Sequence, residues 1–148
     1  MSAEIRKTAL RSRGKFFSGS EGGPVLTENA DKRESVHTFR LSFAELTVTV
    51  RRVGEDLLVL AEGGDKPHLG CTVLALPRPS LRGDGSVSCT SSVLNRAGHR
   101  DEEICRYLAE KCAVKYDTAV VCTGGFHVDG ITKEQIAEVL AAVKEAEL

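Results

Sequence analysis

The 148 residues carry 20 Lys and Arg against 21 Asp and Glu, a net charge of -1, and 41% are hydrophobic. That is the length of one domain with a real core, and it excludes wholesale disorder. Balanced charge, no Trp and 5% aromatic residues also exclude a nucleic-acid binder built on a basic face or on stacked rings.

Residues 1–35 read as a disordered polar tail. The segment is Gly-rich between Ser18 and Pro24, has no hydrophobic period, and holds Phe16 and Phe17 as its one large apolar pair. Arg6, Lys7, Arg11, Arg13 and Lys15 are not followed by an apolar run, which excludes a secretory signal. No stretch approaches the ~20 apolar residues of a membrane span, so no membrane contact is expected.

A single domain is expected over 36–148. Its first strand runs from Val36 to Leu41. The second, Glu45 to Val53, sets Leu46, Val48 and Val50 on one face and Thr47, Thr49 and Arg51 on the other. After a turn at Gly54, Leu57 to Ala61 is an unbroken apolar run, ended by the Gly63 to Pro67 turn. Leu69 to Leu76 forms the next strand, stopped by Pro77 and Pro79, and Ser86 to Leu94 the fifth. The period then changes: Asp101, Glu102 and Glu103 suit the first turn of a helix that repeats Ile104, Leu108 and Cys112. Ala119 to Thr123 is a short buried strand. Thr132 to Gln135 is a capping box opening an amphipathic helix with Ile136, Val139, Leu140 and Val143. The fold class is α/β (α+β), a mixed, largely antiparallel sheet carrying two helices, in the order βββββαβα.

The five cysteines, at 71, 89, 105, 112 and 122, form no Cys-x-x-Cys pair, and four sit in apolar runs. Buried free thiols in a reducing, cytoplasmic compartment are expected, with no disulfide and no structural zinc.

Strands 69–76 and 86–94 form an antiparallel hairpin, which sets His68 beside Asn95 and Arg96. A helix of about sixteen residues spans ~24 Å and returns the chain along the sheet. The strand at 119–123 then runs parallel to 86–94 and ends at the His68 edge. His68, Asn95, His99, Gly124, Gly125, His127 and Asp129 should therefore gather at one rim, where ligands of open α/β sheets favour the carboxyl ends of strands. Three of the four histidines fall there. Paired glycines at 124 and 125 allow close backbone approach or positive φ.

In an extended segment His127 and Asp129 share a face, and the carboxylate would fix the imidazole's tautomer; a surface turn fits the spacing equally well. A lone His68 at a strand entrance is more often structural and takes its weight from the convergence. His99 fits an anion site at a helix start or a solvated turn. Ser92 is the best ligand candidate in the row Ser88, Thr90 and Ser92. Arg78, on a rigid bend with Ser80, could clamp a phosphate, yet lies roughly 30 Å from His68 along the strand. Only a dimer could join the two. No nucleophile elbow, P-loop or dinucleotide fingerprint is present, and a metal site using His68, His99, His127 and Asp129 is conceivable without a known signature.

Pro67 to Gly70, Leu76 to Leu81, Ser91 to Asn95, Gly98 with His99, and Phe126 to Thr132 together resemble the LpdD-like prenylated-flavin chaperones, a family of small accessory proteins of gallate-type decarboxylases. The likeness covers roughly Phe39 to Val143. It implies a homodimer, similar in fold to proteasome-assembly chaperones, that binds reduced prenylated flavin mononucleotide and delivers it to a UbiD-type aromatic-acid decarboxylase. It implies an accessory role with no catalytic residue of its own. His68, Arg78, Ser80, His99, His127 and Asp129 match its motifs, and Ser92, Asn95 and Gly125 join them as cofactor-binding candidates from the convergence. The alternative is a metal-dependent enzyme or a small catalytic component of the decarboxylase.

Overall fold

The computed structural model describes residues 25–28 and 33–148; the expectations placed on Phe16, Phe17 and the rest of residues 1–24 lie outside them. Alternation in the sequence becomes strands of matching register: β1 (Val25–Glu28), β2 (Glu34–Arg40), β3 (Glu45–Val53), β4 (Asp56–Gly64), β5 (Cys71–Pro79), β6 (Val87–Asn95) and β7 (Val120–His127). The helices are α1 (Glu102–Tyr116), between β6 and β7, and α2 (Lys133–Glu145), after β7. This is the expected order with one strand added at the start, and β1 falls inside the segment read as tail. It pairs antiparallel with β2, Val25 opposite Thr38.

The sheet order is β1-β2-β3-β4-β7-β5-β6. Every joint is antiparallel except β4 with β7, where Leu57 lies beside Val120 and Gly64 beside His127. β7 runs in the same direction as β6, as the crossover required, but β5 lies between them and β7 makes its parallel pairing with β4. The apolar runs of β4 and β7 suit their central places: each has neighbours on both edges, and alternate residues of each enter the core.

Three strands, β4, β5 and β7, outrun their expected ends. β7 continues through Gly124 and Gly125 to His127, because β4 continues opposite it to Gly64. β5 runs through Pro77 and Pro79 to its end. Pairing of β5 with β7 stops at Ala75, and Ser80 donates its N–H across the hairpin to the Ser86 carbonyl. By alternation the imide nitrogens of Pro77 and Pro79 face the edge that β7 has left, where no donor is required.

The core lies between one sheet face and the two helices. Leu46, Val48, Val59, Val73, Val120 and Cys122 meet Leu108 and Cys112 of α1 and Val143 of α2, all fully buried. Each such Leu or Val stabilises by about 1.5–3 kcal/mol, and Leu108→Ala would cost about 2–5 kcal/mol. The other sheet face is open. Leu58, Val121, Leu74 and Ser92 form one row across β4, β7, β5 and β6. Leu58, Leu74, Leu76 and Leu94 are exposed on it. No helix among the described residues is long and apolar enough to cross a membrane.

Candidate functional site

The carboxyl ends of the parallel pair β4 and β7 stop at one rim, and the loops leaving them carry the histidines. His68 follows Pro67 in the β4–β5 loop. Its Nδ1 lies 3.0 Å from the Lys66 carbonyl oxygen, and its Nε2 lies 2.8 Å from His99 Nδ1 and 3.0 Å from Asp101 Oδ2. The His68 ring centroid is 4.5 Å from that of His99 and 6.2 Å from that of His127. The expected gathering of His68, His99 and His127 is therefore present within a single chain.

His127 ends β7 and bonds Asp129 across one residue, Nε2 to Oδ1 at 2.8 Å. Lys66 Nζ donates to the other Asp129 oxygen at 2.6 Å. The Lys66 ammonium, then His127, hold the Asp129 carboxyl below its usual range, and Asp129 raises the Lys66 pKa in return. This side-chain bridge reinforces a backbone one, in which Asp65 N–H donates to the His127 carbonyl at 2.8 Å.

The glycines make room for these groups. Gly124 has φ +146, and a Cβ there would strike the Ala61 carbonyl oxygen at 1.7 Å. A Cβ on Gly125 would lie 2.6 Å from His68 Nε2, and one on Gly70 only 1.9 Å from Asp101 Oδ2. Gly125 thus belongs to the site as the floor under the His68 ring.

Asp101 is the site residue that sequence reasoning missed. The sequence suits it to the first turn of α1, and it does occupy the N-cap position, but its side chain makes no cap hydrogen bond. Oδ1 instead accepts from the Phe126 N–H at 2.9 Å, while Oδ2 faces His68. It is one of two buried polar side chains among the described residues; the other is His37 in β2. A signal was available, since His99 and Asp101 repeat the His-x-Asp spacing of His127 and Asp129.

Asn95 reaches the same end of the sheet but turns to α1, donating to Glu102 Oε2 at 2.7 Å, on a neighbouring cleft it shares with His99 and Arg106. Ser92 lies outside the rim, on the open sheet face opposite Leu74, because its strand places even-numbered residues there. Arg78 and Ser80 sit at the far end of β5. Arg78 Nε donates to Thr90 Oγ1 at 2.9 Å and Ser80 Oγ accepts from the Arg82 N–H. The single chain does not bring these three residues to the histidines: Arg78 lies seven positions along the extended strand from Cys71, and Ser92 faces the open side of the sheet.

Beside the rim lies a cavity of about 480 Å³. His68, His99, Arg100, Asp101, Glu103 and His127 form its polar wall, and Phe126, Ile131, Ile136, Val139 and Leu140 most of its apolar one. The apolar wall depends on α2, whose start is fixed by the expected capping box: Thr132 Oγ1 accepts from Gln135 N–H and the Gln135 side chain accepts from Thr132 N–H. The volume is in the ~300–1,000 Å³ range of small-molecule sites, and a mostly apolar cleft with a few convergent polar groups is their usual form.

The family described as the prenylated flavin chaperone LpdD-like domain matches residues 42–147. Protein LpdD of Lactiplantibacillus plantarum is 32% identical over an alignment 99 residues long that covers 63% of this chain. The match spans 65% of that protein's length, just under two thirds. Among solved structures, a chaperone complex for yeast 20S proteasome assembly superposes with a TM-score of 0.46 at 11% identity, over 76% of this chain and 90% of the other.

Proposed function

The chain belongs to the LpdD-like prenylated flavin chaperone family, and we propose that it binds reduced prenylated flavin mononucleotide and delivers it to a UbiD-type aromatic-acid decarboxylase. The observation that carries this reading is the two-sided cavity. Ile136, Val139 and Leu140 offer an apolar surface to a prenylated ring system, while Arg100 offers donors and positive charge to a phosphate. The residues present fit such a cofactor in size and polarity.

When bound in the decarboxylase, the cofactor supplies the covalent chemistry on the aromatic acid. This chain's residues have a simpler task. The imidazoles of His99 and His127 donate or accept at the polar edge of the ligand, His68 positions His99, and α2 keeps water from the apolar side. Holding without reacting asks for no activated nucleophile, and Cys71 and Cys112 fit that role: burial pushes Cys71 up to about 12 and Cys112 up to about 11. Free thiols also suit a reducing cytoplasm.

In this reading a second copy covers the open face of the sheet. The exposed leucines of β4, β5 and β6 form a surface that a homodimer would bury, and a partner's β5 would carry its own Arg78 and Ser80 toward the shared assembly.

The test is anaerobic. Reduced prenylated flavin is mixed with the purified chain, desalted and offered to the apo-decarboxylase. Retention of about one flavin per chain and a rise in decarboxylation are expected. Flavin lost entirely on desalting, with no change in the ligand's absorbance on mixing, would end the reading.

A further inference from the structure

We propose that His68, His99 and Asp101 form a binding site for one divalent transition-metal ion at the wall of the cavity. The Lys66 carbonyl can only accept, so His68 Nδ1 carries the proton that bonds it at 3.0 Å. In the neutral ring Nε2 is then a bare lone pair, and it faces Asp101 Oδ2 at 3.0 Å and His99 Nδ1 at 2.8 Å. Those two atoms are 3.7 Å apart. If His99 donates to His68, Oδ2 is left lone pair against lone pair. If a second proton on His68 serves Oδ2, His99 Nδ1 must share the same hydrogen. One hydrogen serves one of these acceptors well, whereas a cation at their common centre serves all three.

The separations of the three atoms suit an ion. The circle through the three atoms has a radius of ~1.9 Å, so a metal at the usual ~2.0–2.2 Å from N and O ligands sits just off their plane. The observed separations bracket the ~3.0–3.4 Å expected between ligands at right-angled and tetrahedral positions.

The supporting shell is equally built. His68 and Asp101 each have their outer atom fixed by the backbone: His68 Nδ1 by the Lys66 carbonyl, and Asp101 Oδ1 by the Phe126 N–H. That arrangement sets tautomer and orientation in metal sites. Asp101 is 7% exposed, His68 16% and His99 28%, so exposure rises toward the cavity that all three line.

Two imidazoles and one carboxylate, with no thiolate, favour a borderline ion such as Zn²⁺, Co²⁺ or Fe²⁺. Three protein ligands leave further coordination positions, and these open onto the cavity, where water or an anionic oxygen of its occupant completes the set. That final contact alone rests on the flavin reading; the ion site does not.

The full chain, stripped with a chelator and free of flavin, is titrated with Co²⁺ and separately with Zn²⁺. One equivalent per chain is expected, with visible ligand-field bands for Co²⁺. His99→Ala, and the closer-sized His99→Gln, should weaken binding more than ~100-fold while circular dichroism and thermal unfolding show an intact fold. No stoichiometric binding by the wild-type chain, or equal binding by either folded variant, would overturn the site. Flavin retention is measured separately in chelator, so failure here and failure of the flavin reading are told apart.

Discussion

His68 Nε2 and Asp101 Oδ2 meet at 3.0 Å although thirty-three residues separate them in the chain. The contact ties the β4–β5 loop to the start of α1, and the second Asp101 oxygen ties both to Phe126 of β7. A carboxylate with so little exposure is costly unless fully bonded. Asp101→Ala strands the Phe126 N–H and one face of His68 and should cost about 2–4 kcal/mol. Asp101→Asn keeps an acceptor for Phe126 and should cost about half as much. Urea unfolding with an unchanged m-value checks the order of the two.

Gly125 separates packing from binding. Its φ is not in the left-handed region, so alanine meets no backbone strain; the added Cβ meets His68 at 2.6 Å instead. The ring has to swing off its place between Gly125 and Asp101. Gly125→Ala should lower stability by about 1–3 kcal/mol and weaken flavin retention at least tenfold. Retention equal to wild type would show that His68 has no part in holding the ligand.

Much of this was written in local pattern. The alternation of Leu46, Val48 and Val50, the change of period after Asn95 and the capping box at Thr132 each specify an element through its nearest neighbours. The convergence of three histidines needed one further step, counting strand and helix lengths to find which end of the sheet each loop occupies. What stayed hidden depended on contacts between distant segments. β5 reads as stopped by Pro77, and only the end of its pairing with β7 at Ala75 makes those prolines harmless. Asp101 reads as a helix-start residue, and only the arrival of His68 and Phe126 turns its carboxylate inward. Likewise, the apolar runs of β4 and β7 announce central strands but not that they pair with each other.

The fourth histidine makes stability depend on pH. His37 is buried in β2, its Nε2 3.1 Å from Ser35 Oγ and its Nδ1 without a hydrogen-bond partner among the described residues. Burial, then the Lys115 charge, lowers its pKa from the ordinary 6.5. A base with a depressed folded pKa gains its proton more readily when unfolded, so its contribution is complete above 6.5 and is lost as pH falls below it. His37→Leu should remove that part of the acid sensitivity and gain about 1 kcal/mol near pH 5. Urea midpoints followed from pH 8 to pH 5 for both proteins test it; parallel curves would reject the assignment.

The thiols should react in a fixed order. Cys71, Cys105, Cys112 and Cys122 are buried, and Cys122 is raised well above the ordinary thiol value by Cys105 and by burial. Cys89, on the edge strand β6, is half-buried and raised less far. Native alkylation at pH 8 followed by mass spectrometry should mark Cys89 first, with the other four modified only at the rate of global unfolding. Early labelling of Cys71 would mean that the strand pairing at the rim opens locally.

Leu74 occupies the middle of the open sheet face, with Val121 on one side and Ser92 on the other, and 40% of its surface is exposed. Its neighbours Val73 and Ala75 point into the core, so a change at Leu74 leaves the packing under α1 alone. In the proposed homodimer a carboxylate there would be stranded at the centre of the interface, where leaving a charge unpaired costs about 3–5 kcal/mol. Leu74→Glu is therefore expected to be monomeric by light scattering, with thermal unfolding as sharp as that of the wild type. The arrangement of Arg78 makes the consequence for binding specific. If a partner's β5 helps to complete the assembly, the monomeric variant loses flavin retention although its own His68, His99 and His127 are intact. If the variant keeps both the wild-type mass and its flavin, the leucine row is not the dimer interface.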